Sequence, residues 1–457
     1  MLIRRAELWP GGLADVRIAQ GLIAAIGDLP SGDDDKVIDA NGGALLPGLH
    51  DHHIHLSASA VRKQSVICGP PQVRTADDLA RALASAPGTG WVRGILYHES
   101  VMGLPGAAEL DRICKDRPLR IQHRSGRMWL LNTLAIETLL SLGPPPAGME
   151  SECGRYSGRL FDEDAWLRSI LSSMPPSYAD ISAELATTGV TGLTDMSPSN
   201  DAATALHFAA ESRAGRLLQR YDLAGRPELG SGPLKLHLHE AAMPDFDAVV
   251  AMIRLAHAQG RPLASHCTTE TELVFTLAAI EAAGAMRGDR IEHAGIARDD
   301  HIARIADLGL AVVGQPHFIS ERGDQYLQDV EPDLVPLLYR QATFLRAEVT
   351  LAAGSDAPFG GTDPWAAMRA AVSRQTAAGA VIGGDEALNP EEALALYLSD
   401  PTELSRQRAV TLGAPADLCL LNTPWAKART VLNASLVSAT VIGGNLVHQA
   451  PPERLAG

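Results

Sequence analysis

Cysteine is scarce in this 457-residue chain. The five present (Cys68, Cys114, Cys153, Cys267 and Cys419) are odd in number, scattered and without a Cys-x-x-Cys pair, which argues against a disulfide framework and a thiolate zinc knuckle. Free thiols in a cytoplasmic compartment are the expectation. Positive charge is also short. Lys plus Arg number 39 against 54 Asp plus Glu, a formal net charge of -15, so there is no overall basic field to grip phosphates and nucleic acid is not an expected partner. Long apolar runs are missing as well: nothing reaches the roughly 18 residues of a membrane span. The opening Met1 to Gly12 meets Pro10 and two glycines before any run of signal-peptide length, so neither membrane insertion nor secretion is expected. What remains is 46% hydrophobic and 20% charged residues, an ordinary globular composition long enough for two or three structural units. It also holds 15 histidines, four of them packed between His50 and His55.

Residues 1–48 read as short strands and turns: Leu2 to Leu8, a Pro10-Gly11-Gly12 turn, Val16 to Ile18, Leu22 to Ile26, then a polar Ser31 to Lys36 loop. Over 49–405, short apolar runs alternate with Ala- and Leu-rich helical stretches, among them Asp245 to Ala258, Thr271 to Ala283 and Pro390 to Leu398. Repeated strand-then-helix units imply a parallel sheet, and this length suffices for an α/β barrel of eight units, a (β/α)8 TIM-like fold. Short strands return over 406–457: Asp417 to Leu421, Val431 and Leu432, and Leu436 to Ile442, with an Ile442-Gly443-Gly444-Asn445 hairpin turn. The two chain ends, 1–48 with 406–457, are expected to form one small β-sandwich subdomain beside a 49–405 barrel.

The strand Leu46 to His55 places His53 and His55 two residues apart, on one face of an extended chain, where two neutral imidazoles can chelate a metal ion. Alone, such a pair is equally a packed or surface pair; recurrence at barrel spacing gives it weight. The segment Leu234-Lys235-Leu236-His237-Leu238-His239-Glu240 alternates leucines with Lys235, His237 and His239. Pro262 to His266 and Arg290 to His293 are further short strands ending in histidine, and Val349 to Ala353 runs into Gly354-Ser355-Asp356. The intervals are 31 residues from Lys235 to His266, 27 to His293 and 63 to Asp356. At about 30 residues per strand–helix unit, these polar groups fall at the ends of successive strands, with Leu310 to Val313 and Gln315-Pro316-His317 filling the skipped unit. The C-terminal strand ends are the face of a barrel where chemistry is built.

This order of HxH, Lys, His, His and Asp resembles the metal-dependent amidohydrolase superfamily. Gly154-Arg155-Tyr156-Ser157-Gly158-Arg159-Leu160, Gly189-Val190-Thr191, Gln315-Pro316, Gly354-Ser355-Asp356-Ala357-Pro358 with Asp363-Pro364, and Gly413-Ala414-Pro415-Ala416-Asp417-Leu418 are similar to its N-substituted formamide deformylase-like branch. The resemblance implies a binuclear centre: His53, His55 and Asp356 on one ion, His266 and His293 on a second, and a carbamylated Lys235 bridging them. The ions would be zinc by default, with manganese or iron accepted by the same N and O donors. Metal coordination brings the pKa of water from about 15.7 to about 7, so a bridging hydroxide would attack the amide-type C–N bond of a small molecule. Asp356 would be the catalytic proton carrier. An uncarbamylated Lys235 beside a single ion is the alternative.

Substrate contacts are sought at Arg127, His98, His239 and His317. Arg124 to Asn132 departs from the branch, whose usual Asp-Gly-His is here Ser125-Gly126-Arg127, and a guanidinium suits a planar anion such as a carboxylate. A surface salt bridge is the competing role for Arg127. His239-Glu240 likewise stands where the branch has Asp-Gly. The same nucleophile would also open an ester or lactone, and a decarboxylase on the same barrel is a further alternative; deamination fits less well with a lysine on the fourth strand. A small-molecule substrate is the one expected partner, and homo-oligomerisation is left open.

Overall fold

The computed structural model describes residues 1–32, 35–171 and 175–451. Positions 33–34 of the expected Ser31 to Lys36 loop and the last six of the expected terminal segment lie outside the described residues. The chain divides into two compact units, one of residues 1–56 with 178–457 and one of 57–177.

The larger unit contains, among the described residues, eight consecutive strands of one parallel set: Leu49–Ile54, Val190–Asp195, Arg220–Leu223, Leu234–His237, Leu263–Cys267, Arg290–His293, Ala311–Gly314 and Thr350–Ala353. They are strands one to eight below. Strands one to three form one parallel sheet and four to eight another, with a parallel bridge from Gly225 to Leu234 between them. Strand eight meets strand one at its end, where Asp356 N donates to His53 O at 2.7 Å and His55 N to Ala357 O at 2.8 Å. That approach requires Gly354, since a Cβ there would fall 2.3 Å from His53 N. The fold is α/β and TIM-barrel-like.

The helices between these strands start where the sequence supplies caps. Asp245 accepts from Ala248 N to open Phe246–Ala258, Thr269 and Glu272 form a capping box for Glu270–Ala283, and Asn389 with Glu392 does the same for Pro390–Leu398, whose first residue is proline. These three helices match the sequence expectation to within a residue. Both chain ends join one mixed eight-stranded sheet. In it Leu2–Leu8 pairs with Leu13–Ala19, Val37–Asp39 and Ala44–Pro47, and the last of these pairs with Leu418–Leu421 from the far end of the chain. Its core is Ile3, Val16, Ile18, Ile23, Leu45, Leu418, Leu420 and Val441 with their neighbours. The Ile442 to Asn445 hairpin turn is present.

Val431 and Leu432, read as a strand, are not one: both amides donate to Ala428 O, closing the turn after the short helix Trp425–Ala428. A two-residue apolar signal is too short to override a helical turn already begun by Trp-Ala-Lys-Ala. Residues 57–177, expected within the barrel, build a sheet of their own. Its strands run in the order Met149–Glu152, Arg155–Phe161, Met128–Leu131, Leu119–His123, Val92–Tyr97 and Val66–Ile67, packed on separate apolar clusters around Leu79, Leu110 and Ile121 and around Trp129, Leu139 and Leu160. Among the described residues no helix is long and apolar enough to cross a membrane.

Candidate metal centre

Six side chains singled out in the sequence belong to the larger unit: His53, His55, His266, His293 and Asp356 stand at or just beyond the ends of strands one, five, six and eight, and Lys235 is the second residue of strand four. Asp356 Oδ1 lies 3.3 Å from His53 Nε2 and 3.0 Å from His55 Nε2. His53, His293 and Asp356, all buried, each offer a ligand atom within 4.8 Å of the others. The His293 ring is 4.9 Å from that of His53 and 4.5 Å from that of His266.

Three imidazoles are held by the nitrogen that faces away from the cluster. His53 Nδ1 donates to Glu292 Oε2 at 2.6 Å, His293 Nδ1 to Gln315 Oε1 at 2.7 Å, and His55 Nδ1 is hydrogen-bonded to Ser197 Oγ at 3.1 Å. With Nδ1 engaged, Nε2 keeps its lone pair toward the cluster, the arrangement a metal-ligating histidine needs. Ser197 is itself placed by Asp195, which accepts from Ser197 N at 2.9 Å and from Leu56 N at 2.7 Å. Asp51 Oδ1 accepts from His53 N and Ser355 N, tying strand one to the loop after strand eight, and burial pushes its carboxyl up to about 6.

The electrostatics favour neutral imidazoles at His266 and His293, whereas at His53 burial and Lys235 are outweighed by Glu292 and Asp356, which raise it. Burial, together with neighbouring histidines and Lys235, pushes His266 down to about 2 and His293 down to about 3. Burial also lowers the Lys235 ammonium, and its Nζ has no hydrogen-bond partner; His293 Nε2 is likewise buried without one. Burial alone would raise Glu292, but Arg290 and His53 outweigh it and hold the carboxylate below its usual range. Arg290 Nε stands 2.6 Å from Glu292 Oε1, an encounter of charges rather than an aligned hydrogen bond. His293 and Asp356 both adopt left-handed backbone conformations, φ 72° and 50°, a strain that non-glycine residues accept mainly at functional positions.

A buried, unpartnered His293 Nε2, three imidazoles with the outer nitrogen tied back, and a carboxylate at 3 Å fit a divalent cation. Residues 36–448 match the sequence model of the Amidohydrolase family. The chain belongs to that family. With it, the chain is a metal-dependent hydrolase of carbon–nitrogen bonds other than peptide bonds. A relative, the N-substituted formamide deformylase of Arthrobacter pascens, is 28% identical over an alignment covering 85% of each chain. Among solved structures, an uncharacterized metal-dependent hydrolase of Pyrococcus horikoshii superposes with a TM-score of 0.75 at 20% identity, covering 92% of this chain and 97% of that one. N-isopropylammelide isopropylaminohydrolase of Burkholderia multivorans gives 0.56 at 17% identity over 98% of both.

The substrate-side candidates of this amidohydrolase meet other partners. Arg127 is exposed and forms a two-pronged pair with Asp162, Nε at 2.8 Å and Nη2 at 2.7 Å, so its fork is engaged in the salt bridge weighed as the alternative. His98 Nδ1 bonds Ser100 Oγ at 2.6 Å. Both belong to the 57–177 unit. His317 is 2% exposed and donates through Nε2 to Ser355 O at 3.0 Å, under the loop that carries Asp356 rather than on an open wall. His239 is exposed, but strand four ends at His237 and His239 begins a short 3-10 turn over Glu240–Ala242. His50 and His52 are buried with rings 4.5 Å apart, and His50 Nε2 is bonded to Thr194 Oγ1. Glu270 opens the helix after strand five and pairs with Arg298. The residues that sequence reading missed are Glu292, Ser197 and Asp51; a carboxylate directly before His293 was the one visible signal.

Proposed function

We propose that this amidohydrolase cleaves the amide-type C–N bond of a small N-substituted molecule, with two divalent ions at the strand ends of the larger unit. The observation that carries the reading is the convergence of His53 Nε2 and His55 Nε2 on Asp356 Oδ1, with the outer ring nitrogens fastened to Glu292 and Ser197. His53, His55 and Asp356 would hold one ion and His266 and His293 the other. Lys235, whose Nζ is buried and unpartnered, would bridge them as a carbamate: the amine adds to CO2, one N–C bond forms and one proton leaves. When bound, zinc, manganese or iron supplies a Lewis acid that polarises a carbonyl and acidifies water to a pKa of about 7.

The chain's own residues do the rest. Asp356, 3.0 Å from His55 Nε2 and close to His53, is placed to take the proton of the attacking water and give it to the departing amine nitrogen. Glu292 keeps His53 in one tautomer, and Gln315 does the same for His293. The formamide specificity in the name of the A. pascens relative makes N-substituted formamides the first substrates to test. On the same reading the eight parallel strands close as a (β/α)8 barrel, and the terminal strands make a small β-sandwich.

The test joins metal content to turnover. Protein loaded with zinc should hydrolyse N-substituted formamides with release of formate and amine, lose that activity on chelation and regain it on reloading. Full activity at no bound metal, or undiminished amine release after Asp356→Asn, would overturn the reading.

A further inference from the structure

The His237-Leu238-His239 triplet is absorbed neither by the proposed ligand set nor by the fold. Leu236 and Leu238 are 7% and 1% exposed and pin the end of strand four, while His237 and His239 between and beyond them are exposed. His237 ends the strand and His239 leads into the 3-10 turn that follows, and both are exposed. Their rings stand 4.7 Å apart, and the His237 ring stands 4.6 Å from that of His266. From His266 the series continues to His293 and His53 at 4.5 and 4.9 Å. An unbroken file of imidazoles therefore runs from an exposed pair into the buried cluster. His237 and His266 are also register partners on adjacent parallel strands, so the backbone itself maintains that spacing.

We propose that His237 and His239 form a further divalent-metal site of the zinc class, outside the buried ligand set. Two imidazoles two residues apart supply the borderline-soft donors that zinc prefers, and water completes the coordination of an exposed ion. Glu240, the next residue in the chain, is engaged by Thr271 Oγ1 at 3.0 Å. Such a site is weak because few protein donors face it and solvent competes. It would hold an ion at the mouth of the file, one imidazole from His266, and so capture metal for the cluster within.

Equilibrium dialysis of the full chain against rising free zinc tests this, with bound metal counted directly. The tightly held metal should be followed by one further, weaker step. His237→Asn, His239→Asn and the double variant should weaken that step by at least about ten-fold, with the tight stoichiometry unchanged. Both side chains are exposed, and an unchanged melting curve would show that the variants fold. Identical isotherms for wild type and double variant would overturn the proposal. So would loss of the tight rather than the weak step, which would place the pair in the catalytic set. The result does not depend on substrate, so it stands or falls separately from the C–N hydrolase reading.

Discussion

His53 has its ring nitrogens divided between two tasks by its neighbours: Glu292 takes Nδ1–H at 2.6 Å and Nε2 turns to Asp356. Losing the carboxylate would leave the Nδ1–H poorly matched and Arg290 without its buried counter-charge. Glu292→Gln should therefore weaken metal binding by about 10–100-fold, read as bound zinc in competition with a chromophoric chelator; equal retention would show that Glu292 does not position the ligand. Arg127 makes the opposite prediction. Its guanidinium is exposed and paired with Asp162, and exposed pairs contribute little. Arg127→Ala should leave the melting temperature unmoved and should not discriminate between substrates with and without a carboxylate. A selective loss of kcat/KM for the acids would restore it as an anion reader. The HxH pair was legible because two residues apart on a strand is a local relation. Glu292 was not, because simple alternation puts Glu292 and His293 on opposite faces. The left-handed turn at His293 breaks that alternation and brings both side chains into one buried cluster.

At the scale of elements, helices were the most legible because their signals are contiguous: the caps at Asp245, Thr269 and Asn389 lie within three residues of the amides they serve. Strand ends were less so. Strand four stops at His237 although the alternation continues to His239, because the chain must turn over Glu240–Ala242. The small sheet within 57–177 escaped notice because short, turn-separated strands read equally as barrel strands and as hairpins until their partners are known. One tertiary tie makes a pH prediction. Glu211 on helix Ala202–Arg213 accepts from Arg216 and from Tyr178 N at 2.9 Å. The Arg216 hydrogen bond leads in bringing its carboxyl from the usual 4.5 down to about 2. A carboxylate depressed in the folded state adds stability above its unfolded pKa and loses it as pH falls through the folded value. Glu211→Gln should cost about 1–3 kcal/mol near neutrality, and the difference from wild type in chemical denaturation should close between pH 4.5 and 2. A gap independent of pH over that range would mean that the charge is not what Glu211 contributes.

For the whole molecule, the net charge of -15 gives no hint that the candidate centre is a place where imidazoles, a lysine and two carboxylates share a buried volume. Composition sums charges, and a metal site depends on which of them meet. All six proposed ligands (His53, His55, Lys235, His266, His293 and Asp356) lie in the unit of residues 1–56 with 178–457, and none in the 57–177 unit, which has apolar clusters of its own. Metal that binds the folded but not the unfolded state stabilises by mass action, about 2.7 kcal/mol at one hundred times its dissociation constant. That gain belongs to the segments whose opening destroys the site. Hydrogen exchange with and without zinc should thus show slowed exchange in Leu49–Ile54, Leu263–Cys267, Arg290–His293 and Thr350–Ala353. Leu119–His123 and Met128–Leu131 of the smaller unit should change far less. Protection rising equally in both would mean that the two units open as one, and protection confined to 57–177 would remove the metal from the strand ends altogether.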